Sequence, residues 1–242
     1  MASKQFKGKT CTYCCAEGAS ATGDHVLARS FFLPEHRDNL PQVPACGHCN
    51  GEKSQLEHYL ASVLPFGGNQ AHAGRNIEQV APRLAKNAAL HRKLLAGMGG
   101  RWRSINGGPF QYEMSVPLEG EKLVQLLRLI VRGLAVSEFG LVLPAEHFVV
   151  EAAFLLPPIS DRWEAQLAMA GETVERDLGE GTFAYRAVRS RINPEISVWR
   201  LQWFGGMHMQ GAAGVGGAAY GFTGNRRSFA ANALERLFRG DH

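Results

Sequence analysis

The chain has 242 residues, of which 45% are apolar and 20% charged, and its formal net charge is +4. That is the profile of an ordinary globular protein, long enough for one large domain or two small ones with a substantial core. The longest apolar run, LVQLLRLIVRGLAV from Leu123, is broken by Arg128 and Arg132 and is too short to cross a bilayer. The N-terminal MASKQFKGKT lacks the apolar centre of a signal peptide. A cytoplasmic protein without a membrane partner is the expectation.

All five cysteines fall between positions 11 and 49. A disulfide framework would spread along the chain, so the clustering argues for a metal site in a reducing compartment. Cys11 and Cys14 form one C-x2-C pair, and Cys46 and Cys49 a second. Each spacing lets two thiolates on a tight turn reach one tetrahedral Zn2+. Cys15 and His48 are substitute ligands, but the matched spacing favours the four-cysteine set as a structural zinc site. Reduced cysteines without metal are the alternative.

Between the pairs, GDHVLARSFF from Gly23 reads as a short strand, and LPEHRDNLPQVP from Leu33 as a turn-rich loop leading to a second short strand. After Cys49, NGEKSQLEHYLASVL reads as a helix with Leu56, Tyr59, Leu60 and Val63 at helical spacing and Asn50 near its start. This order places Asp24 and His25 on a strand facing the first turn of the helix.

Residues 66–115 carry seven basic side chains against two acidic ones, whereas 1–65 and 116–242 are close to balanced. Most of the excess lies in the stretch from Arg75 to Arg103, which includes Arg92 and Lys93 and suits contact with a nucleic-acid backbone. A solvated helix face is the plainer reading. The segment reads as a helix interrupted near Pro82 and ending at GMGG, before a tryptophan-containing turn.

Further on, EGEKLVQLLRLIVRGLAVSEFG predicts an apolar helix and HFVVEAAFLL a buried strand. GTFAYRAVRSRINPEISVWRLQWF predicts a hairpin in which Trp199, Leu201 and Trp203 alternate with Arg200 and Gln202. The glycine-rich stretch 205–224 contains no P-loop and reads as irregular loop. SFAANALERLF predicts a last amphipathic helix.

The motifs C-x2-C, DHVLARS and DNLPQVPACGHCNGEK together resemble the zinc-stabilised branch of the HNH endonucleases, the His-Me finger nucleases, over about residues 10–62. The resemblance implies a ββα-metal module in which His25 is the general base. It makes Asp24 and Asn50 the ligands of a catalytic Mg2+ or Mn2+. Asn39 becomes the residue that orients the base, and Lys53 a phosphate contact; Arg29 is a further candidate for that contact. Many relatives carry proline where Ala28 stands.

The chemistry fits these residue types. Phosphodiester hydrolysis requires an activated water and positive charge opposite the developing negative charge of the transition state. A neutral histidine takes the proton when its other ring nitrogen is oriented by a partner. The zinc replaces the core that about fifty residues cannot build alone.

The expected fold is α+β: an N-terminal zinc-stabilised ββα-metal, treble-clef-like module over 1–65, a basic helical connector over 66–115, and a mixed helix and antiparallel-sheet domain over 116–242. The expected function is metal-dependent cleavage of nucleic acid, with double-stranded DNA as the first candidate. The alternative is a non-catalytic zinc-bound module that binds nucleic acid or protein.

Overall fold

The computed structural model describes residues 4–68, 70–104, 108–155, 159–167, 171–206 and 218–226. It is a mixed α+β structure with antiparallel sheets. The last predicted helix and part of the glycine-rich stretch lie outside the described residues. Among the described residues, no helix is long and apolar enough to cross a membrane.

The N-terminal region is a two-stranded hairpin followed by a helix. Strand β1, Thr22–His25, pairs antiparallel with β2, Gln42–Ala45, and α1 runs over Gly47–Leu60. The first strand is shorter than GDHVLARSFF suggests. After His25 the chain turns inward, passes through a 3-10 turn at Arg29–Phe31, and buries Val26, Leu27, Phe31 and Phe32 in the core. Those apolar residues serve tertiary packing instead of continuing the ladder. Helix α1 starts before Asn50, because Cys46 is its N-cap and accepts from the Cys49 amide.

The basic middle is three short helices, α2 (Gln70–Glu78), α3 (Val80–Ala85) and α4 (Ala88–Gly97). The breaks fall at Gln79 and at Lys86–Asn87 and not at Pro82, which lies in the first turn of α3, where a missing amide costs no helical bond. Asn87 caps α4 through its side chain, accepting from Leu90 N at 3.0 Å. The expected tryptophan-containing turn is instead a hairpin, β3 (Gly99–Ser104) with β4 (Phe110–Ser115).

Helix α5, Gly120–Phe139, is the long apolar helix expected from the sequence. Gly140 ends it at φ 67°, with Gly140 N donating to Val136 O and Leu141 N to Ala135 O, a stop on a left-handed glycine. Strand β5 (Phe148–Phe154), helix α6 (Ile159–Leu167) and strands β6 (Glu172–Leu178), β7 (Phe183–Arg189), β8 (Ser197–Trp203) and β9 (Ala219–Asn225) follow. The sheet order is β5-β9-β8-β7-β6, antiparallel throughout. The predicted hairpin is β7–β8, with Trp199, Leu201 and Trp203 buried.

The end of the glycine-rich stretch is a correction, since β9 is an interior strand of the sheet. Gly221 makes room for α5: a Cβ there would lie 2.4 Å from a Val131 methyl. Helix α5 packs against both the sheet and α1, and one continuous buried cluster runs from Cys11 through Leu126 and Ile130 to Trp199 and Ala219. The two arginines that interrupt its apolar run hold its neighbours. Arg128 pairs with Glu151 of β5, and Arg132 donates to the carbonyls of Leu143 and Tyr13.

Candidate metal centre and hairpin site

Cys11 and Cys14 lie in the loop before β1, Cys46 at the end of β2 and Cys49 in the first turn of α1. Their sulfurs all lie within 4.8 Å of one another, and Cys14 Sγ is 3.9 Å from Cys46 Sγ. Tetrahedral zinc with bonds of about 2.3 Å needs sulfurs about 3.8 Å apart, so the four thiols fit that ion. Among the described residues this is the cluster of cysteine, histidine and carboxylate groups that could hold a metal.

Backbone donors prepare the site. Burial pushes the Cys11 thiol up, but amides of Cys14, Cys46 and Tyr13 outweigh it and bring the pKa down to about 7. Burial, together with the neighbouring thiols of Cys46 and Cys14, drives Cys49 the other way. Four thiols this close cannot all ionise unless a cation offsets their charge.

His25 closes β1 opposite Gln42 in the ladder, and the Gln42 amide nitrogen lies 3.0 Å from His25 Nε2. Burial lowers the histidine pKa, as does the charge of Arg29 and, to a lesser degree, that of Lys53, with Asp24 pulling the other way. The ring is therefore neutral at physiological pH. With the amide nitrogen donating, the ring proton sits on Nδ1; turning the amide over makes its oxygen accept from Nε2–H and leaves Nδ1 basic. Orientation of the ring thus falls to Gln42. The expected orienting residue, Asn39, sits exposed in the preceding turn at φ 59°, a left-handed conformation that asparagine tolerates.

Asp24 points the other way along the strand, into the junction with α1, and is 7% exposed. Its Oδ2 accepts from the Tyr13 hydroxyl at 2.5 Å and lies 3.0 Å from Lys53 Nζ. Lys53 is 0% exposed; its ammonium also pairs with Glu57 and donates to the His25 carbonyl at 2.8 Å. The expected surface phosphate contact is a buried cation, because two carboxylates and a carbonyl surround it where no water reaches. Burial raises Glu57 to about 7, with Lys53 opposing. The Tyr13 hydroxyl is raised well above its ordinary value by burial and by Asp24.

Tyr13, Gln42 and Glu57 are the neighbours that sequence reasoning missed. Lys53 and Glu57 at i and i+4 are the one local signal that could have found the last of them. Asn50 lies half-buried in the first turn of α1, three residues before Lys53 and so on the same side of the helix. Arg29 is exposed beyond the end of β1.

The basic candidates of the middle segment fare differently. Arg92 is exposed, Lys93 pairs with Glu119 at 2.9 Å, Arg75 pairs with Glu35, and Arg83 donates to the Ala61 carbonyl. Part of the positive charge is thus spent on fixing α2–α4 to the rest of the molecule. Compared with protein-family models, with curated proteins and with solved structures, the chain matches none.

Proposed function

We propose that the chain is an HNH-type endonuclease that hydrolyses phosphodiester bonds of nucleic acid, DNA in the first instance, with His25 as general base. The observation that carries the reading is a neutral histidine at the end of a hairpin whose ring is held by Gln42, beside a helix fastened by four thiols. Zinc held by Cys11, Cys14, Cys46 and Cys49 is structural in this reading. His25 takes the proton of the attacking water, and the exposed Arg29 meets the phosphate.

The reading also assigns Mg2+ or Mn2+ to Asp24 and Asn50. Asp24 as arranged does not fit that ion, because its Oδ2 is occupied by Tyr13 and Lys53. A divalent ion has to displace an ammonium there, and no step is routed through it. The same ion pair favours the second reading, a zinc-bound module that binds nucleic acid or protein without cutting.

The test is incubation of the zinc-loaded protein and of His25→Ala with plasmid, linear duplex, single-stranded DNA and RNA, each with and without Mg2+ or Mn2+. Cleavage that the variant loses supports the nuclease; binding without cleavage under every condition supports the second reading.

A further inference from the structure

Hairpin β3–β4 displays aromatic rings to solvent. Trp102, Phe110 and Tyr112 are 68%, 71% and 57% exposed, whereas Trp163, Trp199 and Trp203 are buried. The ladder pairs Trp102 with Tyr112 and Ser104 with Phe110, which places all three rings on one face of the ribbon. The rings of Trp102 and Tyr112 meet edge to face, with centroids 5.3 Å apart. Gly100 permits this: a Cβ there would lie 2.0 Å from the Tyr112 hydroxyl oxygen, so the tyrosine lies across the glycine. Large apolar surface kept in water on a two-stranded ribbon marks a binding face.

Its charge selects the occupant. Exposed Arg92 lies on α4, which leads into the hairpin, and exposed Lys86 lies just before that helix, while Lys93 of the same helix is engaged by Glu119. Residues 66–115 carry seven basic groups to two acidic ones. An apolar partner protein would use the rings and leave the surplus positive charge of this segment without a counterpart. A duplex would match the cations but keep its bases stacked on one another. Unpaired bases on a phosphate backbone match both.

Resting on the nucleic-acid reading above, we propose that the β3–β4 hairpin is a stacking platform for the unpaired bases of single-stranded DNA. Trp102 and Tyr112 receive bases, and Lys86 and Arg92 draw in the backbone.

The experiment uses the full zinc-loaded chain in a His25→Ala background, so that binding is read without cleavage. The probes are a fluorescein-labelled thymidine oligonucleotide of about twenty nucleotides, a mixed-sequence duplex of the same length, and a uridine oligonucleotide, read by anisotropy. Of the four tryptophans only Trp102 is exposed, so quenching of intrinsic emission reports on the hairpin itself. The thymidine strand should quench that emission. Trp102→Ala and Tyr112→Ala should each weaken its affinity about tenfold, with duplex affinity changed less than about twofold, and Trp102→Phe should keep most of the affinity.

Unchanged thymidine binding in the Trp102→Ala/Tyr112→Ala double variant overturns the proposal, as does an equal loss on strand and duplex. Tighter binding of the uridine strand overturns the assignment to DNA. Sedimentation showing a dimer that dissociates in the double variant while DNA binding persists identifies the face as a self-association surface instead. Failure of the nuclease reading alone leaves these binding results intact, and failure of the platform leaves cleavage at His25 intact.

Discussion

Lys53 and Asp24 form a 3.0 Å ion pair inside the junction between the first hairpin and α1, with the lysine wholly buried. Through the same ammonium the junction holds Glu57 and the carbonyl of His25. The residue beside the proposed base is therefore anchored to α1, and the backbone that carries His25 is fixed with it.

Removing the cation tests that relationship. Lys53→Met leaves two buried carboxyl groups without their partner and should destabilise the protein by about 3–5 kcal/mol. Urea unfolding of the zinc-loaded variant measures it. A surface lysine devoted to phosphate would give unchanged stability and weakened DNA binding instead.

The pH dependence has a definite sign. Burial lifts Glu57 from 4.5 to about 7, so the folded protein holds that proton more tightly than the unfolded chain. The stabilisation is complete below about 4.5 and is lost as pH rises through about 7. Glu57→Gln cannot ionise and should lose this term. The gap in stability between wild type and variant should therefore move against wild type between about pH 4.5 and pH 7 and level off above; a gap that stays constant assigns the pH dependence elsewhere.

His25→Ala should lower cleavage by roughly a hundredfold to ten-thousandfold, the range for loss of a general base, with zinc content and fold kept. In the wild type the acid limb of the pH–rate profile should lie below the ordinary histidine value, since burial and Arg29 favour the neutral ring. Wild-type turnover by the variant removes His25 from the chemistry.

Cys46→Ser should release zinc and unfold the hairpin–helix region, because this residue supplies a thiol and also caps α1. Elemental analysis and hydrogen exchange over residues 11–60 read the two effects separately. Full zinc occupancy means that the four-thiol set is wrong.

Reversing Arg92 and Lys93 to glutamate should weaken binding of all DNA sequences alike and flatten the slope of log affinity against log salt. Since Lys93 also holds Glu119 at 2.9 Å, Arg92→Glu alone separates lost phosphate contact from local repulsion. Identical affinity and slope in both variants move the docking face away from α4.

What the sequence alone determined follows from local rules. The spacing of Cys11, Cys14, Cys46 and Cys49 encodes which thiols can share an ion, since two residues between ligands is a property of one turn. The apolar periodicity after Glu119 yields α5, and alternation yields β7–β8. Tertiary structure decided the rest, because each case turns on partners distant in sequence. Lys53 reads as a surface cation until Asp24, 29 positions earlier, meets it in the interior. Gln42 instead of Asn39 reaches His25 because the ladder register sets them opposite each other. The glycine-rich β9 looks like loop in isolation, and is a strand because β5 and β8 pair with it on either side while Gly221 admits the close approach of α5.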